Sequence, residues 1–418
     1  MSIRPLRIAV WYNFPSGGAK RALYNQLAGL KSRGHHLEVF RPPVGDLEHW
    51  PIRDVSHRET EFDWPSWQKD SWFYPLKLKL ASEEVFRYVA SADHHARMVG
   101  AEIRKGQFDL LFSHSCMFFA SPFVGRYVDL PKVLYLHEPK RVLYEPSPRL
   151  PWLARDPLPF TGLKKLKAQS RERVEARSAA VRAREELINA RAFDRILVNS
   201  YFSRESVLRA YGLNSRVCYL GIDSGMFKNL NLRRENYVIG VGMLVEPKNQ
   251  MFVIESIGRI PKEIRPELIW VGNVTDPVYR DACAARATEL GVVFSSHNMV
   301  TDEELVSLLN RAVMSVYAPR LEPFGFAPLE ANLCGLPVVA VAEGGVRETV
   351  IDGVNGMLVD QDQALFADAV VRLLQDDAFR INLGKQGAER ALSHWGLEQS
   401  IDRLEAELYD TLNAKAHV

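Results

Sequence analysis

The sequence has few of the features that mark zinc-bound, secreted or membrane-spanning proteins. Its four cysteines are widely spaced and form no CxxC pair, which argues against a zinc site and a disulfide framework. The apolar run of residues 8–12 is too short for a signal-peptide core. No run reaches the roughly 18 apolar residues that span a bilayer. We therefore expect a cytoplasmic protein, at most peripheral on the inner face of a membrane.

The sequence also lacks an excess of either charge. Its 418 residues carry a formal net charge of +2, so no global field points to nucleic acid, and we expect no nucleic-acid partner. The length predicts two domains, since domains usually hold about 100–200 residues.

Strand-like and helix-like segments alternate along the chain, which is typical of parallel α/β sheets. Residues 7–12 form a short apolar strand pattern, a turn follows at residues 15–18, and residues 19–32 form a helix pattern. A second series of such units begins near Asn236. Within the first series, residues 62–79 hold many aromatic residues without a clear period. We interpret this segment either as a functional loop or lid, or as a loop held down by its own aromatics.

Two histidines follow predicted strands of the first series. The strand pattern of residues 108–112 leads to His114, and that of residues 133–136 leads to His137. Ligands of open α/β sheets bind beyond the carboxyl ends of the strands. Each histidine is therefore a candidate site residue, with a satisfied structural histidine as the alternative.

The segment from Glu322 to Glu330 is the strongest chemical signal in the sequence. Glu322 lies in a loop after a predicted strand, Gly325 allows a close approach of the backbone, and a helix begins near Ala327. Helix N-termini bind phosphate through backbone N–H groups and the helix dipole. Carboxylates accept hydrogen bonds from ribose or sugar hydroxyls. This pattern predicts a nucleotide-sugar site.

Several motifs along the chain together resemble the retaining sugar transferases of glycosyltransferase family 4. They are GGAKR at residues 17–21, NS at 199–200, GID at 221–223, VGMLVEPK at 241–248, EPFGFAPLE at 322–330, GLPVV at 335–339 and GG at 344–345. The resemblance implies an α/β GT-B fold, with two Rossmann-like domains facing each other across a donor-binding cleft. It predicts an acceptor domain at residues 1–225 and a donor domain at residues 226–396. The helix at residues 397–418 is expected to pack back onto the acceptor domain.

The resemblance implies roles for residues of the donor site. Glu330 would hold the ribose of the nucleotide. Gly325, Phe326 and Ala327 would offer backbone N–H groups to the donor. Glu322 would contact the sugar near the anomeric carbon.

Further residues are implied around the diphosphate and the sugar. Lys248 would neutralise the leaving diphosphate, and Gly17 and Gly18 would close over it. His137 would reach the sugar from the first domain. The family usually has an arginine where this chain has Met243, so one positive charge is missing. Arg141 and Arg320 are the candidates to replace it.

The activity implied is a metal-independent transfer from a nucleotide-diphosphate-sugar to a hydroxyl of a glycan, lipid-linked or small-molecule acceptor, as in polysaccharide biosynthesis. No cofactor is expected beyond this co-substrate. The alternative is a nucleotide-sugar-binding protein with weakened or lost catalysis, of which Met243 would be the first sign. A phosphorylase or epimerase ranks last, since no lysine suited to pyridoxal stands out.

Two further segments have competing interpretations. The sequence Asp360-Gln361-Asp362 resembles the DxD metal motif of other sugar transferases, but its place favours a plain turn. The basic stretch of residues 164–195 is either a solvated helix with internal ion pairs or a surface for anionic membrane. Gly17-Gly18 lacks the GxGxxG spacing, so a dinucleotide cofactor is not predicted.

Overall fold

The computed structural model describes residues 4–14, 17–43, 47–64, 77–146, 149–153 and 161–416, with the backbone alone at residues 77–83 and 415–416. The aromatic segment lies mostly outside this range, with Trp67, Trp72, Phe73 and Tyr74. The residues divide into two compact units. Unit 1 comprises Met1–Asn199, Ser203–Cys218 and Ile401–Val418, and unit 2 comprises Ser200–Phe202 and Tyr219–Ser400. The predicted domain boundary after residue 225 falls within unit 2.

Unit 1 is built on a parallel sheet of seven strands in the order β3-β2-β1-β4-β5-β6-β7. The strands are β1 (Arg7–Asn13), β2 (His36–Arg41), β3 (Arg58–Glu61), β4 (Leu110–Cys116), β5 (Lys132–Tyr135), β6 (Arg195–Val198) and β7 (Arg216–Val217). The helices of this part of the chain are α1 (Gly18–Ser32), α2 (Lys77–Lys105), α3 (Arg141–Tyr144), α4 (Gly162–Arg191) and α5 (Tyr201–Tyr211). The central strands β1 and β4 are buried almost along their whole length, as expected for a parallel sheet covered on both faces.

Unit 2 is built on a parallel sheet of six strands in the order β10-β9-β8-β11-β12-β13. The strands are β8 (Tyr237–Val241), β9 (Glu267–Gly272), β10 (Phe294–Asn298), β11 (Met314–Tyr317), β12 (Val338–Val341) and β13 (Gly356–Val359). Its helices are α6 (Gln250–Gly258), α7 (Pro277–Leu290), α8 (Asp302–Arg311), α9 (Phe326–Leu333), α10 (Val346–Thr349), α11 (Gln363–Gln375) and α12 (Asp377–His394). This strand order is the one of dinucleotide-binding Rossmann sheets.

The last helix, α13 (Leu397–Ala416), belongs to unit 1 from Ile401 onward. Glu405 pairs there with His35 at 2.7 Å and with Arg33 at 2.9 Å. Gly29 of α1 leaves the space that the side chain of Ile401 fills. Residues from both ends of the sequence therefore build the same unit.

A short segment in the middle of the chain belongs to unit 2. The Ser200 hydroxyl donates to the carbonyl oxygen of Pro323 at 2.5 Å. The backbone N–H groups of Tyr201 and Phe202 donate to the carboxylate of Glu348 at 2.9 and 3.1 Å. No helix in the described part of the chain is both long and apolar enough to cross a membrane.

Candidate active site

The candidate donor site lies where the strand order of unit 2 changes direction. The chain runs from β8 through β9 to β10 on one side, then returns to β11 and continues outward on the other. Because β8 and β11 are paired and parallel, the loops that follow them leave the same edge of the sheet side by side. In open α/β sheets ligands bind at this switch point.

The loop after β8 is fixed by two side chains that the sequence did not single out. The indole N–H of Trp270 donates to the carbonyl oxygen of Gly242 at 2.8 Å. The amide of Gln250 donates to the carbonyl oxygen of Met243 at 2.8 Å. A short 3-10 turn, Glu246–Lys248, follows and ends at Lys248. In the sequence, only their positions point to this role: Trp270 lies near the end of β9, and Gln250 is the first residue of α6.

The structure brings Lys248 and Glu322 together. The ammonium nitrogen of Lys248 lies 2.6 Å from a carboxylate oxygen of Glu322, and both side chains are about one-fifth exposed. The loop after β11 is tied to the same turn, since the N–H of Arg320 donates to the carbonyl oxygen of Pro247 at 2.9 Å. A cation and a carboxylate thus share the switch point, within reach of solvent.

Gly344 and Gly345 pack against the backbone of the loop that contains Glu322. The N–H of Gly345 donates to the carbonyl oxygen of Glu322 at 2.7 Å. A Cβ on Gly344 would lie 2.8 Å from the Glu322 nitrogen and would also collide with its carbonyl oxygen, and a Cβ on Gly345 would meet the carbonyl oxygen of Pro323. Only glycine permits this approach, which gives the predicted Gly-Gly motif a steric reason.

Helix α9 presents its N-terminus at the same loop. Gly325 precedes it with φ +90°, and no side chain caps the helix start. Phe326 and Ala327 occupy the first two helical positions and Pro328, which has no N–H, the third. Backbone N–H groups at a helix start suit an anion. Glu330 follows on the same helix with only 3% of its surface exposed, a placement in which a carboxylate needs polar partners.

Unit 1 has its own switch point, between β1 and β4. Asn13, at the end of β1, is fully buried and its side-chain oxygen accepts from the N–H of Met117 at 2.9 Å. Gly17, with φ +133°, precedes α1 and accepts at its carbonyl from Arg21 at 3.0 Å. Gly18 is the first residue of α1. Gly17 and Gly18 therefore lie at the start of a helix.

His137 lies two residues beyond β5, at the same edge of the sheet. Its N–H donates to the Ser115 hydroxyl at 3.0 Å, and its carbonyl accepts from the Ser203 hydroxyl at 2.9 Å. Burial lowers the pKa of the imidazole to about 4, so the ring is neutral at pH 7. Its Nε2 atom is buried and has no hydrogen-bond partner among the described residues.

The placement predicted for His114 is wrong. His114 lies within β4, because the strand covers Leu110–Cys116 and not residues 108–112. It is fully buried, and its ring stacks on Tyr135 at 5.3 Å between centroids. Burial, with a smaller contribution from His137, lowers the pKa of His114 well below its usual value. It is an interior neighbour of His137.

The remaining predicted residues have local partners. The guanidinium of Arg141 pairs with Glu138. Asp362 caps α11, accepting from the N–H groups of Ala364 and Leu365 at 2.7 and 3.0 Å. The acidic triplet of residues 360–362 thus contains a helix cap.

A solved structure resembles the chain over nearly its whole length. The structure of Alr3699/HepE from Anabaena in complex with UDP and glucose matches with a TM-score of 0.67 and 19% identity, over 97% of this chain and 99% of that one. At this identity the likeness concerns the fold. The predicted α/β GT-B fold with two Rossmann-like domains is confirmed.

Curated relatives match shorter segments. D-inositol 3-phosphate glycosyltransferase 1 from Catenulispora acidiphila is 39% identical over 102 residues, 24% of each chain. The human alpha-1,3/1,6-mannosyltransferase ALG2 is 28% identical over 117 residues, which cover 28% of this chain and 28% of that one. The chain thus spans about a quarter of the length of these relatives.

Two family models match in tandem. The model described as Glycosyl transferases group 1 matches residues 223–390. The model described as Glycosyltransferase Family 4 matches residues 16–225, half of the sequence. The chain belongs to glycosyltransferase family 4.

Proposed function

We propose that this protein transfers a sugar from a nucleotide-diphosphate-sugar to an acceptor hydroxyl. The observation that carries the proposal is the pair of Lys248 and Glu322, 2.6 Å apart at the switch point of unit 2 and next to the N-terminus of α9. This arrangement offers positive charge for a diphosphate beside a carboxylate for sugar hydroxyls. The related fold of Alr3699/HepE is described with UDP and glucose, a ligand pair of the same chemical class.

Each donor contact follows from its position. Lys248 and the N–H groups of Gly325, Phe326 and Ala327 bind the diphosphate, where negative charge grows as the leaving group departs. Glu330, on the buried side of α9, accepts from the ribose hydroxyls. Glu322 accepts from hydroxyls of the sugar.

In unit 1 the proposal assigns contacts to Gly17, Gly18 and His137. The glycines bring backbone N–H groups to the diphosphate without a side chain in the way. The neutral imidazole of His137 offers Nε2 to a sugar hydroxyl. Because its pKa is about 4, it acts as a hydrogen-bonding group and not as a charged one.

The transfer is proposed to be metal-independent with retention of configuration. The bond between the anomeric carbon and the diphosphate oxygen breaks, and the electron pair leaves with the diphosphate. The acceptor oxygen bonds to the same face of the sugar, and its proton passes to the departing phosphate oxygen. Lys248 and the α9 dipole supply the charge stabilisation that a divalent ion supplies in other transferases.

The donor is identified by thermal shift against UDP-, GDP- and ADP-sugars, since a ligand that binds the native state raises the melting temperature by mass action. The best donor is then used in a turnover assay. We expect Lys248→Ala and Glu322→Gln to lose about a hundredfold or more in turnover, as when one charge-stabilising donor is removed. The matched controls are Lys262→Ala and Glu303→Gln, which remove the same charges from exposed positions of unit 2. Equal activity of site and control variants would refute the assignment.

The metal independence is tested separately. Turnover measured in chelator, then with added manganese, is expected to stay constant. Activity that is lost in chelator and restored by manganese would contradict this part of the proposal.

Arg320 is proposed to replace the arginine missing at Met243. Its backbone N–H donates to the carbonyl oxygen of Pro247, so Arg320 lies next to the turn that contains Lys248. Arg141 is the other candidate, and its guanidinium pairs with Glu138. We expect Arg320→Gln to weaken binding of the nucleoside diphosphate, while Arg311→Gln, an exposed control on α8, leaves it unchanged.

A contact with anionic membrane is proposed for the start of α4, on the cytoplasmic face. Residues 161–167 are all exposed, with Leu163 at 85% and Leu166 at 63%. Lys164, Lys165 and Lys167 stand among them. Basic residues beside apolar ones bind anionic lipid surfaces, which suits a lipid-linked acceptor. Vesicle binding that does not increase with the anionic lipid fraction would refute this.

The second candidate function is nucleotide-sugar binding with weakened catalysis, favoured by Met243. The two are separated by slow hydrolysis of the best donor. An enzyme hydrolyses it and loses this activity in Glu322→Ala, whereas a binding protein shows the thermal shift without hydrolysis.

A further inference from the structure

Unit 1 contains a cavity of about 350 Å³ to which the proposed reaction has assigned no role. It is lined by residues from the end of β1, the first turn of α1, the end of β2 and residues 51–59. Ligand cavities usually measure about 300–1,000 Å³, so this one accommodates a small molecule or a part of a larger one.

The lining of the cavity is positively charged. Lys20, Arg41, Arg53 and Arg58 contribute four cations and Glu59 one carboxylate, which gives +3 with His57 neutral. Two of the cations are deep, since Lys20 is 1% and Arg41 8% exposed. Buried charges act in a lower dielectric than surface charges and are screened less by salt.

The single lining carboxylate is already engaged. Glu59 accepts from the Arg41 guanidinium at 2.5 Å and from the Tyr12 hydroxyl at 3.1 Å through the same oxygen. Burial raises the pKa of Tyr12, and Glu59 raises it further, so the phenol remains protonated and donates. Arg41 is also held by Glu61 at 2.6 Å. The network fixes the guanidinium in place, and counting Glu61 lowers the net charge around the cavity to +2.

Ser56 supplies a polar group that lacks a partner. Its side chain lines the cavity and its residue is only 6% exposed, and the hydroxyl has no hydrogen-bond partner among the described residues. A buried hydroxyl with an unmade hydrogen bond is unfavourable. A ligand oxygen in the cavity removes that penalty.

We propose that this cavity binds the phosphate group of the acceptor, an inference that rests on the proposed function. Phosphate combines the multiple negative charge and the acceptor oxygens that a net charge of +2 and a donor hydroxyl match. The volume leaves room for about one ring or polyol beyond the phosphate. The acceptor class is therefore a phosphorylated sugar or polyol, or a phosphate headgroup of a lipid.

The test measures binding without any nucleotide sugar, so that it fails or succeeds separately from sugar transfer. Glycerol 3-phosphate is titrated by calorimetry, and vesicles containing phosphatidic acid are tested by co-sedimentation. The pocket variants are the double substitution Arg53→Gln/Arg58→Gln and the uncharged change Ser56→Ala. The control is Arg204→Gln/Arg209→Gln, which removes the same charge from exposed positions of α5. Circular dichroism and the melting temperature verify folding.

We expect the double pocket variant to weaken binding at least about tenfold, since hydrogen bonds to charged groups are the strong ones. Ser56→Ala weakens it less, and the control leaves it unchanged. Binding of glycerol 3-phosphate that the double pocket variant weakens assigns the site to a soluble phosphate. Binding to vesicles alone that the same variant weakens assigns it to a lipid headgroup. Binding of neither probe, or equal weakening in the control, would overturn the proposal.

Discussion

The sharpest test of the donor site concerns Gly344, which lies against the Glu322 loop. Gly344 and Gly353 are both glycines of unit 2 with nearly the same backbone angle, φ +69° and +70°. They differ in their surroundings: a Cβ on Gly344 would lie 2.8 Å from the nitrogen of Glu322, whereas a Cβ on Gly353 would meet nothing within 4 Å. Gly353→Ala is therefore a control that has the same backbone strain without the collision.

The expected magnitudes follow from this comparison. The left-handed conformation costs alanine about 1–2 kcal/mol at either position. The collision at Gly344 adds about 1–3 kcal/mol of overpacking. Because 1 kcal/mol shifts the melting temperature of a domain of this size by about 2–4 °C, Gly353→Ala is expected to melt about 2–8 °C lower than the unmodified protein. Gly344→Ala is expected to melt about 2–12 °C below that control.

The two variants are also expected to differ in donor binding and turnover. Relief of the collision moves the Glu322 loop and separates its carboxylate from Lys248, and a displacement of about 1 Å in a catalytic group can cost a hundredfold in rate. We expect Gly344→Ala to lose turnover and the thermal shift given by the donor, while Gly353→Ala keeps both. Thermal melts with and without donor, together with turnover, measure this. Identical behaviour of the two variants would refute the steric role of Gly344.

Four further predictions follow from single contacts. Met243→Arg is expected to tighten binding of the best nucleoside diphosphate about tenfold or more, measured by calorimetry, because it adds a charge-assisted contact; unchanged affinity would place the diphosphate elsewhere. Asp362→Ala is expected to lower the free energy of unfolding by about 1 kcal/mol through the lost α11 cap, with unchanged donor affinity. A loss of donor affinity would instead support the hypothesis that residues 360–362 form a DxD metal motif. The pKa of His137 in the folded protein, about 4, lies below its unfolded value near 6.5. The free energy of unfolding therefore decreases as pH falls from about 6.5 toward 4, by up to about 1.4 kcal/mol per pH unit. In His137→Gln, the free energy of unfolding measured in urea should depend less on pH over this range. The pKa of Glu186 is raised to about 7 by burial, so stability is lost as pH rises from about 4.5 to 7, and this loss should be absent in Glu186→Gln.

The sequence signal on which the predicted donor site rests is local. Glu322, Gly325 and Glu330 lie within nine residues of one another, and loop and helix geometry bring them together without distant partners. The role of Lys248 is implied by the family resemblance alone. Its contact with Glu322 depends on the pairing of β8 with β11, which no local pattern specifies.

The errors have a physical cause as well. The sequence pattern ends this strand before His114 because the apolar run ends at Phe112, whereas β4 continues through Ser113, His114 and Ser115. These polar residues are buried in a central strand, where neighbouring strands satisfy the backbone and hydrophobicity no longer marks the element. No local pattern marks the cavity around Arg41, since its lining comes from four separated segments.

Helix α13 has a consequence for the synthesis of the protein. Chains emerge from the ribosome with the N-terminus first, and domains generally fold as units in that order. Here unit 1 needs Ile401 against Gly29 and Glu405 against His35. Its fold is thus completed only after residues 401–416 have been made. Unit 2, whose residues end at Ser400, is complete earlier, so the first part of the chain to be translated is the last to be finished. During that interval the Gly29 surface of α1 stays uncovered, and a chaperone that binds apolar surfaces would find its target there.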